Sequence, residues 1–319
     1  MQGNGSALAE RRPWSWALAL SRISESNPAR WQAEITSLQA QYESFVHEFL
    51  GSEHARDLRS LSRKTSSRPA APTPEARAVQ HNDHPLAADS KREQLAQLEE
   101  SVAQDVERLQ PSHPLFDGPL HSNSLKAGAL RAVMLHFVLS GCACSYVQGV
   151  HELAGVLLFS WAHEACIEPA DAEAMAFFCL IDIRAELSHL GGGQELQEFA
   201  EGVMTILRRA DMVLWKHMRS LFPQCESLVL VRWVSVLFCH EFDLEGVMQL
   251  WDCFLSQSIT SAERALQAAC AAMLLVARSE LLSCESDADA LHSVLNRYPE
   301  GKGASDVASE ARSLMHALG

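Results

Sequence analysis

The sequence predicts an all-α protein, and three observations carry that expectation. Apolar residues recur at steps of three and four through most of the chain, the spacing that gathers them on one helix face. No stretch of useful length alternates apolar with polar residues as a half-buried strand does. No segment returns at a fixed spacing, which sets aside solenoids and propellers. With 319 residues, 47% hydrophobic and 21% charged, the chain can bury the core of one large or two modest domains.

Taken in order, residues 1–51 read as N-terminal helices. Asn27-Pro28 is a helix start, because proline's missing N–H costs nothing in the first helical turn. Trp31, Ile35, Leu38, Tyr42, Phe45, Val46 and Phe49 then form an amphipathic stripe that stops at Gly51. Over residues 52–90 the periodicity vanishes, and SRKTSSRPAAPTP has the composition of a linker, expected to be disordered. Its positive charges crowd between Arg56 and Arg68. It holds six basic and five acidic residues, so the rest of the chain carries −15 of the net −14.

Residues 91–257 resume the helical pattern. Leu95, Leu98, Val102, Val106 and Leu109 share one face of a helix predicted over Leu95 to Leu109. Asp105 sits at the margin of that face and Arg108 towards solvent, neighbours at a spacing of three. Two further apolar stripes follow, one through Leu130, Val133, Met134, Phe137 and Val138, the other through Val150, Leu153, Val156 and Leu157. Gln148-Gly149 lies at their junction, and Gly191 to Gly193 reads as a loop. Residues 258–319 hold an Ala- and Leu-rich helix, roughly Ala262 to Leu282, then a polar tail with a last helix over Val307 to Leu318.

Several classes are excluded. No apolar run approaches the roughly 18–20 residues of a membrane span; Val156 to Ala162 and Ala271 to Ala277 suit buried helices. The opening MQGNGSALAERRPWSW lacks a signal-peptide layout, so a cytoplasmic location is expected. A pI near 5.4 argues against nucleic acid as a partner. Nine cysteines between Cys142 and Cys284 read as reduced, buried thiols, and the lone pair Cys142 and Cys144 has no second pair at zinc spacing. His151-Glu152 opens an HExxH pattern that fails at Gly155, and HNDH at His81 to His84 is too thin for a metal site. No phosphate-binding loop follows Gly191 to Gly193, and no GxSxG elbow occurs. Neither a metal nor a nucleotide of its own is expected.

Three ordered segments remain. Val102-x-x-Asp105-x-x-Arg108 matches IxxDxxR, Tyr146-Val147-Gln148-Gly149 matches YxQG, and RWVSVLFCHEFDLEGVMQLWDCFL runs from Arg232-Trp233 to Trp251-Asp252 and Leu255. Between the last two, ADMVLWKHM places Asp211, Leu214 and His217 in a DPxLxxHL-like stretch. Over roughly Arg12 to Leu255 the chain resembles the TBC domain of GTPase-activating proteins for Rab GTPases. The HEL after YVQGV and the Trp31 helix before a long linker look most like the endosomal, retromer-associated branch.

The resemblance implies a TBC domain of two helical subdomains that begins in residues 1–51 and has its core, with both finger motifs, in 91–257. It implies an activator that supplies catalytic residues in trans, with GTP and Mg²⁺ carried by the partner GTPase and no cofactor of its own. Arg108 becomes an arginine finger and Gln148 a glutamine finger that replaces the Rab's own. Asp105 becomes the residue that holds Arg108 in register, while Tyr146 and Gly149 shape the loop. Arg232, Trp233, Trp251 and Asp252 are packing and ion-pair elements. A Rab GTPase, an endosomal coat or trafficking complex, and a peripheral place on endosomal membranes are the implied partners and setting. The second reading is a TBC scaffold with weak catalysis, which loss of a finger would favour; neither finger is lost. Val102, Leu109, Gly141, Val150 and His240 depart from the residues usual in the family.

Overall fold

A computed structural model describes residues 12–20, 28–60, 85–109, 121–141, 146–163, 167–191, 193–221, 226–255, 259–284, 287–298 and 301–318. All regular structure among them is helical. The helices are α1 (Arg12–Ala19), α2 (Pro28–Phe45), α3 (Ser52–Ser60), α4 (Pro85–Val106), α5 (His121–Leu139), α6 (Val150–Ala162), α7 (Pro169–Leu187) and α8 (Gly193–Ala210). They continue with α9 (Met212–Leu221), α10 (Glu226–Ser235), α11 (Leu244–Phe254), α12 (Ile259–Val276), α13 (Arg278–Ser283), α14 (Ala288–Asn296) and α15 (Ala304–Leu318). None of the described helices is long and apolar enough to cross a membrane.

Two compact units divide the chain: Ala33–Phe177, and Met1–Gln32 together with Phe178–Gly319. Both crossings fall inside helices, α2 and α7, so the units do not follow the composition-based boundaries at 51, 90 and 257. Sequence composition marks changes in polarity, whereas a compact unit is defined by which helices pack.

The central unit, Ala33–Phe177, is built around α4, α5 and α6. Leu98, Val102 and Val106 of α4 are buried, as are Ala129, Val133 and Phe137 of α5 and Leu153, Val156 and Leu157 of α6. A buried ion pair lies among them. Arg131 donates from Nε and Nη2 to the two oxygens of Glu173 on α7, each at 2.7 Å. The Tyr42 hydroxyl donates to the same carboxylate at 2.8 Å. Gly128, one turn before Arg131, admits that carboxylate: a Cβ there would lie 3.0 Å from Glu173 Oε2. Burial opposes the Arg131 charge, but the Glu173 hydrogen bonds and negative charge outweigh it and keep the guanidinium protonated. Burial and Glu173 together push the Tyr42 hydroxyl well above its ordinary range, so it stays a donor.

Both ends of the linker expected over 52–90 are helical. Ser52–Ser60 is helical and Pro85 opens α4, while residues 61–84, with most of the basic cluster and HNDH, lie outside the described residues. Among the described side chains of α3, Ala55 and Leu58 are buried, and at a spacing of three they share one face. Two apolar residues are too few to register as a stripe. Gly51 makes the turn into α3 with φ 95°, which an L side chain rarely adopts.

In the other unit, α1 is tied to α11. Arg12 Nε donates to both Asp252 oxygens at 3.0 and 2.9 Å, and Trp16 Nε1 donates to one at 3.1 Å. Trp16 also packs on Trp251, with ring centroids 5.5 Å apart. The alanines of α12, among them Ala265, Ala268, Ala269 and Ala272, are buried where it packs on α8 and α15. The helix expected over Ala262 to Leu282 is broken at Ala277 into α12 and α13. Within the tail expected to be polar, α14 forms because Asp287 caps it, accepting from Ala290 N at 2.9 Å, and Leu291 and Leu295 bury one face. Cys179, Cys239, Cys270 and Cys284 are buried and Cys253 is partly exposed; the other cysteines lie outside the described residues.

Candidate functional site

Asp105 is the hub of the site. It sits in the last turn of α4, on the same buried flank as Val102 and Val106, and only 7% of it is exposed. Such a buried carboxylate requires partners. The Tyr146 hydroxyl donates to Oδ2 at 2.9 Å, and Arg108 Nη1 lies 3.6 Å from Oδ1. The Arg108 side chain is 72% exposed, so its root is tethered while its head stays in solvent.

The spacing predicts Arg108 inside a helix that runs to Leu109, but α4 ends at Val106 and Arg108 lies beyond it. The backbone tightens there, with Arg108 N bonding to Asp105 O at 3.0 Å and Leu109 N to Val106 O at 3.1 Å. Two features fix this ending. Lys126 Nζ bonds to the Glu107 carbonyl at 3.4 Å and its carboxylate at 2.9 Å, satisfying an orphan helix-end acceptor. Leu109 turns inward and packs on α6 at Gly155, where a Cβ would stand 2.9 Å from Leu109 Cδ2. Gly155, where the HExxH pattern fails, thus serves a close approach between segments.

The second motif forms the turn before α6. Tyr146 is half-buried, its ring edge-on to Phe137 of α5 with centroids 5.2 Å apart. Val147 is 48% exposed and Gln148 is exposed. Gly149 is buried and caps α6 in the left-handed region at φ 104°, turning the chain sharply after Gln148. The two motifs, 41 residues apart, are joined through the Tyr146–Asp105 bond. Asp105, Arg108 and Tyr146 are therefore brought together, and Gln148 and Gly149 follow on the same turn.

Sequence reasoning missed what lies beneath. His151, 4% exposed, places Nδ1 3.1 Å from the Tyr146 oxygen and 3.7 Å from Asp105 Oδ2. Its Nε2 lies 3.6 Å from Glu152 Oε1. The only available signal was a polar pair at the start of an otherwise apolar helix. Burial, reinforced by the Asp105 charge, pushes the Glu152 carboxyl up to about 7, and burial with Asp105 raises the Tyr146 hydroxyl. The folded chain therefore keeps the Glu152 proton to higher pH than the unfolded chain, which loses it near 4.5. Stability is expected to fall as pH rises through that window. Glu152→Gln, neutral throughout, is expected to lessen the decline by the Glu152 share and leave that of the similarly raised Glu241, which thermal melts at about pH 5 and about pH 8 measure.

A family model of the Rab-GTPase-TBC domain matches residues 72–282, a span that contains all of these residues. The chain belongs to the Rab-GTPase-TBC domain family. Mouse TBC1 domain family member 13 is 30% identical over 164 residues, 49% of this chain and 39% of that protein. Yeast GTPase-activating protein GYP1 is 22% identical over 182 residues, 50% of this chain and 28% of that protein. The chain thus matches less than half the length of these relatives. The fold of this TBC domain is similar to the crystal structure of the Ypt/Rab-GAP domain of Gyp1p. The TM-score is 0.64 at 19% identity, covering 98% of this chain and 89% of that one. The Chlamydomonas flagellar RabGAP TBC domain gives 0.53 at 16% identity, covering 98% and 85%.

The remaining motif residues of the TBC domain lie in the other unit. Arg232 pairs with Glu241 at 2.9 Å and donates to the Asn296 carbonyl of α14. Trp233 is fully buried against Tyr298, and Trp251 Nε1 donates to the Leu237 carbonyl at 3.0 Å. That bond steadies Leu237 and Phe238, two buried residues with φ of 47° and 67°. Asp252 holds α1 through Arg12 and Trp16. Asp211 caps α9, accepting from Val213 N and Leu214 N at 2.9 Å, and His217 Nε2 bonds to the Leu281 carbonyl at 2.9 Å. Apart from the buried Trp233 indole N–H, which has no hydrogen-bond partner among the described residues, the polar atom in each of these positions is spent on another part of the same unit.

Proposed function

We propose that the chain activates GTP hydrolysis by a Rab-family GTPase, supplying Arg108 and Gln148 to the partner's nucleotide. One observation carries this reading. A single buried carboxylate, Asp105, anchors an exposed arginine and, through Tyr146, the turn that presents an exposed glutamine. Exposure of both heads on a fixed base is what delivery to another protein requires.

Phosphoryl transfer is accelerated by positioning and by neutralising charge on the transferring group. Arg108 brings a planar, permanently charged fork with five donors, suited to two phosphate oxygens at once. Its separation of 3.6 Å from Asp105 is long for a charge-assisted bond, so little is given up when the head turns to phosphate. The Gln148 amide offers a carbonyl to accept from the attacking water and an N–H₂ to donate. GTP and Mg²⁺ arrive with the partner. Regulation of vesicle or endosomal trafficking, on the cytoplasmic face of the membrane and beside a coat complex, is the setting that the family resemblance supports.

The test is phosphate release from a panel of GTP-loaded Rabs, with and without this chain. At least one Rab is expected to be stimulated, and Gln148→Ala is expected to lower that stimulation by roughly two orders of magnitude or more. Full stimulation by the Gln148→Ala variant would remove the glutamine from the mechanism.

A further inference from the structure

We propose that His151 is a positioning residue for Arg108, acting through the Tyr146 hydroxyl and Asp105. This inference rests on the arginine-finger reading above. The Tyr146 oxygen lies within hydrogen-bond distance of two groups, Asp105 Oδ2 at 2.9 Å and His151 Nδ1 at 3.1 Å. An ionised carboxylate only accepts, so the single Tyr146 proton belongs to Asp105. The bond to His151 must then be donated by Nδ1–H, with the tyrosine oxygen accepting. The second neighbour of Nδ1, Asp105 Oδ2 at 3.7 Å, requires the same assignment, since a lone pair there would face two oxygens.

The opposite edge of the ring agrees. With Nδ1 protonated, neutral His151 turns a lone pair at Nε2 towards Glu152 Oε1, 3.6 Å away. A proton on the Glu152 carboxyl makes that contact favourable and leaves Nδ1–H undisturbed. His151 is buried on α6, whose first turn Gly149 fixes, so the donor has a rigid mount.

The consequence is directional. With His151 donating, the tyrosine proton has one orientation, Oδ2 of Asp105 is committed to it, and Oδ1 is left for Arg108. Without that donor the hydroxyl is free to rotate, Tyr146 loses one of its two polar tethers, and Asp105 can turn. An arginine head displaced by an ångström costs up to about a hundredfold in rate. A further effect follows at the turn, because Tyr146 and Gln148 are two residues apart and share its geometry.

The experiment compares His151→Asn with His151→Leu in the full chain. Asparagine carries its amide N–H on Cγ, as histidine carries Nδ1, and so keeps the donor; leucine removes it at similar bulk. Thermal melts establish that both fold. Single-turnover hydrolysis by a Rab that the wild-type chain stimulates is then measured at increasing chain concentration. His151→Leu is expected to lower the maximal rate roughly ten- to a hundredfold with the half-saturating concentration little changed. His151→Asn is expected to stay within about threefold of wild type. Equal losses in the two variants, or a loss confined to the half-saturating concentration, would overturn the assignment. A second readout needs no GTPase: ¹⁵N-histidine NMR of the free chain should report the Nδ1–H form of neutral His151. The Nε2–H form would overturn the proposal by itself. Absence of stimulation by the wild-type chain would instead count against the GTPase-activating reading, while the tautomer still decides the hydrogen-bond chain.

Discussion

Arg108→Ala is expected to reduce stimulated GTP hydrolysis by about 10³–10⁵-fold without unfolding the chain. Most of the Arg108 side chain is in solvent, and its ion pair with Asp105 spans 3.6 Å, so that pair contributes under about 1 kcal/mol to stability. Asp105 keeps its bond from Tyr146 when the guanidinium is removed. A large kinetic loss with an unchanged melting temperature therefore separates delivery of charge from maintenance of the fold. Arg108→Lys should recover only a small part of the rate. Lysine provides a point charge with three rotatable donors and cannot span two phosphate oxygens in a plane. Single-turnover phosphate release, with circular dichroism melts of the same preparations, provides both measurements. Equal rates for the three chains would mean that the exposed arginine at the end of α4 has no part in hydrolysis.

The largest loss of stability is expected at Arg131 and Glu173, and there the kinetic and structural outcomes reverse. Truncating either to alanine should cost roughly 3–5 kcal/mol, because the partner is left charged in a place without water. Both side chains are 2% exposed, and the pair is bidentate at 2.7 Å. Removing Glu173 also leaves the Tyr42 hydroxyl without its acceptor. Replacing both residues by methionine or leucine of similar volume should cost much less than either truncation, since no isolated charge remains. Urea unfolding of the two single variants and the double variant measures this coupling. Additive single losses would show that the pair does not act as a unit.

The contrast between these two arginines shows what could be read from the sequence. Arg108 was legible because its motif recurs at a fixed spacing from Asp105, and the stripe through Val102 and Val106 told which face was buried. Gln148 was legible as a polar residue at a helix junction. Arg131 was hidden within the apolar stripe of α5, and its partner lies 42 residues away on α7. Periodicity cannot distinguish a charge that faces solvent from one that has a buried partner. His151 suffered the same fate: read along the chain it was half of a failed metal motif, while in space it lies under Tyr146.

Helix boundaries failed where a local contact overrode the pattern. The stripe that continues to Leu109 suggested a helix of that length, yet Leu109 is apolar because it packs on Gly155 after the helix has ended. That early ending lifts Arg108 out of the regular helix and onto a tight turn. Short helices such as α3 and α14 were lost because two buried residues at helical spacing carry too weak a signal against a polar background. The tie between α1 and α11, through Asp252, was likewise invisible, although the Trp251-Asp252 pair itself was singled out.

The central claim is that both the charge and the water-orienting amide come from this chain. The most direct measurement uses a stimulated Rab whose own water-orienting glutamine has been changed to leucine. Single-turnover phosphate release from that variant should still be accelerated by the wild-type chain, and the acceleration should disappear with Gln148→Ala. Loss of acceleration with the altered Rab, while the unaltered Rab still responds, would contradict the claim and leave the partner's glutamine in charge of the water.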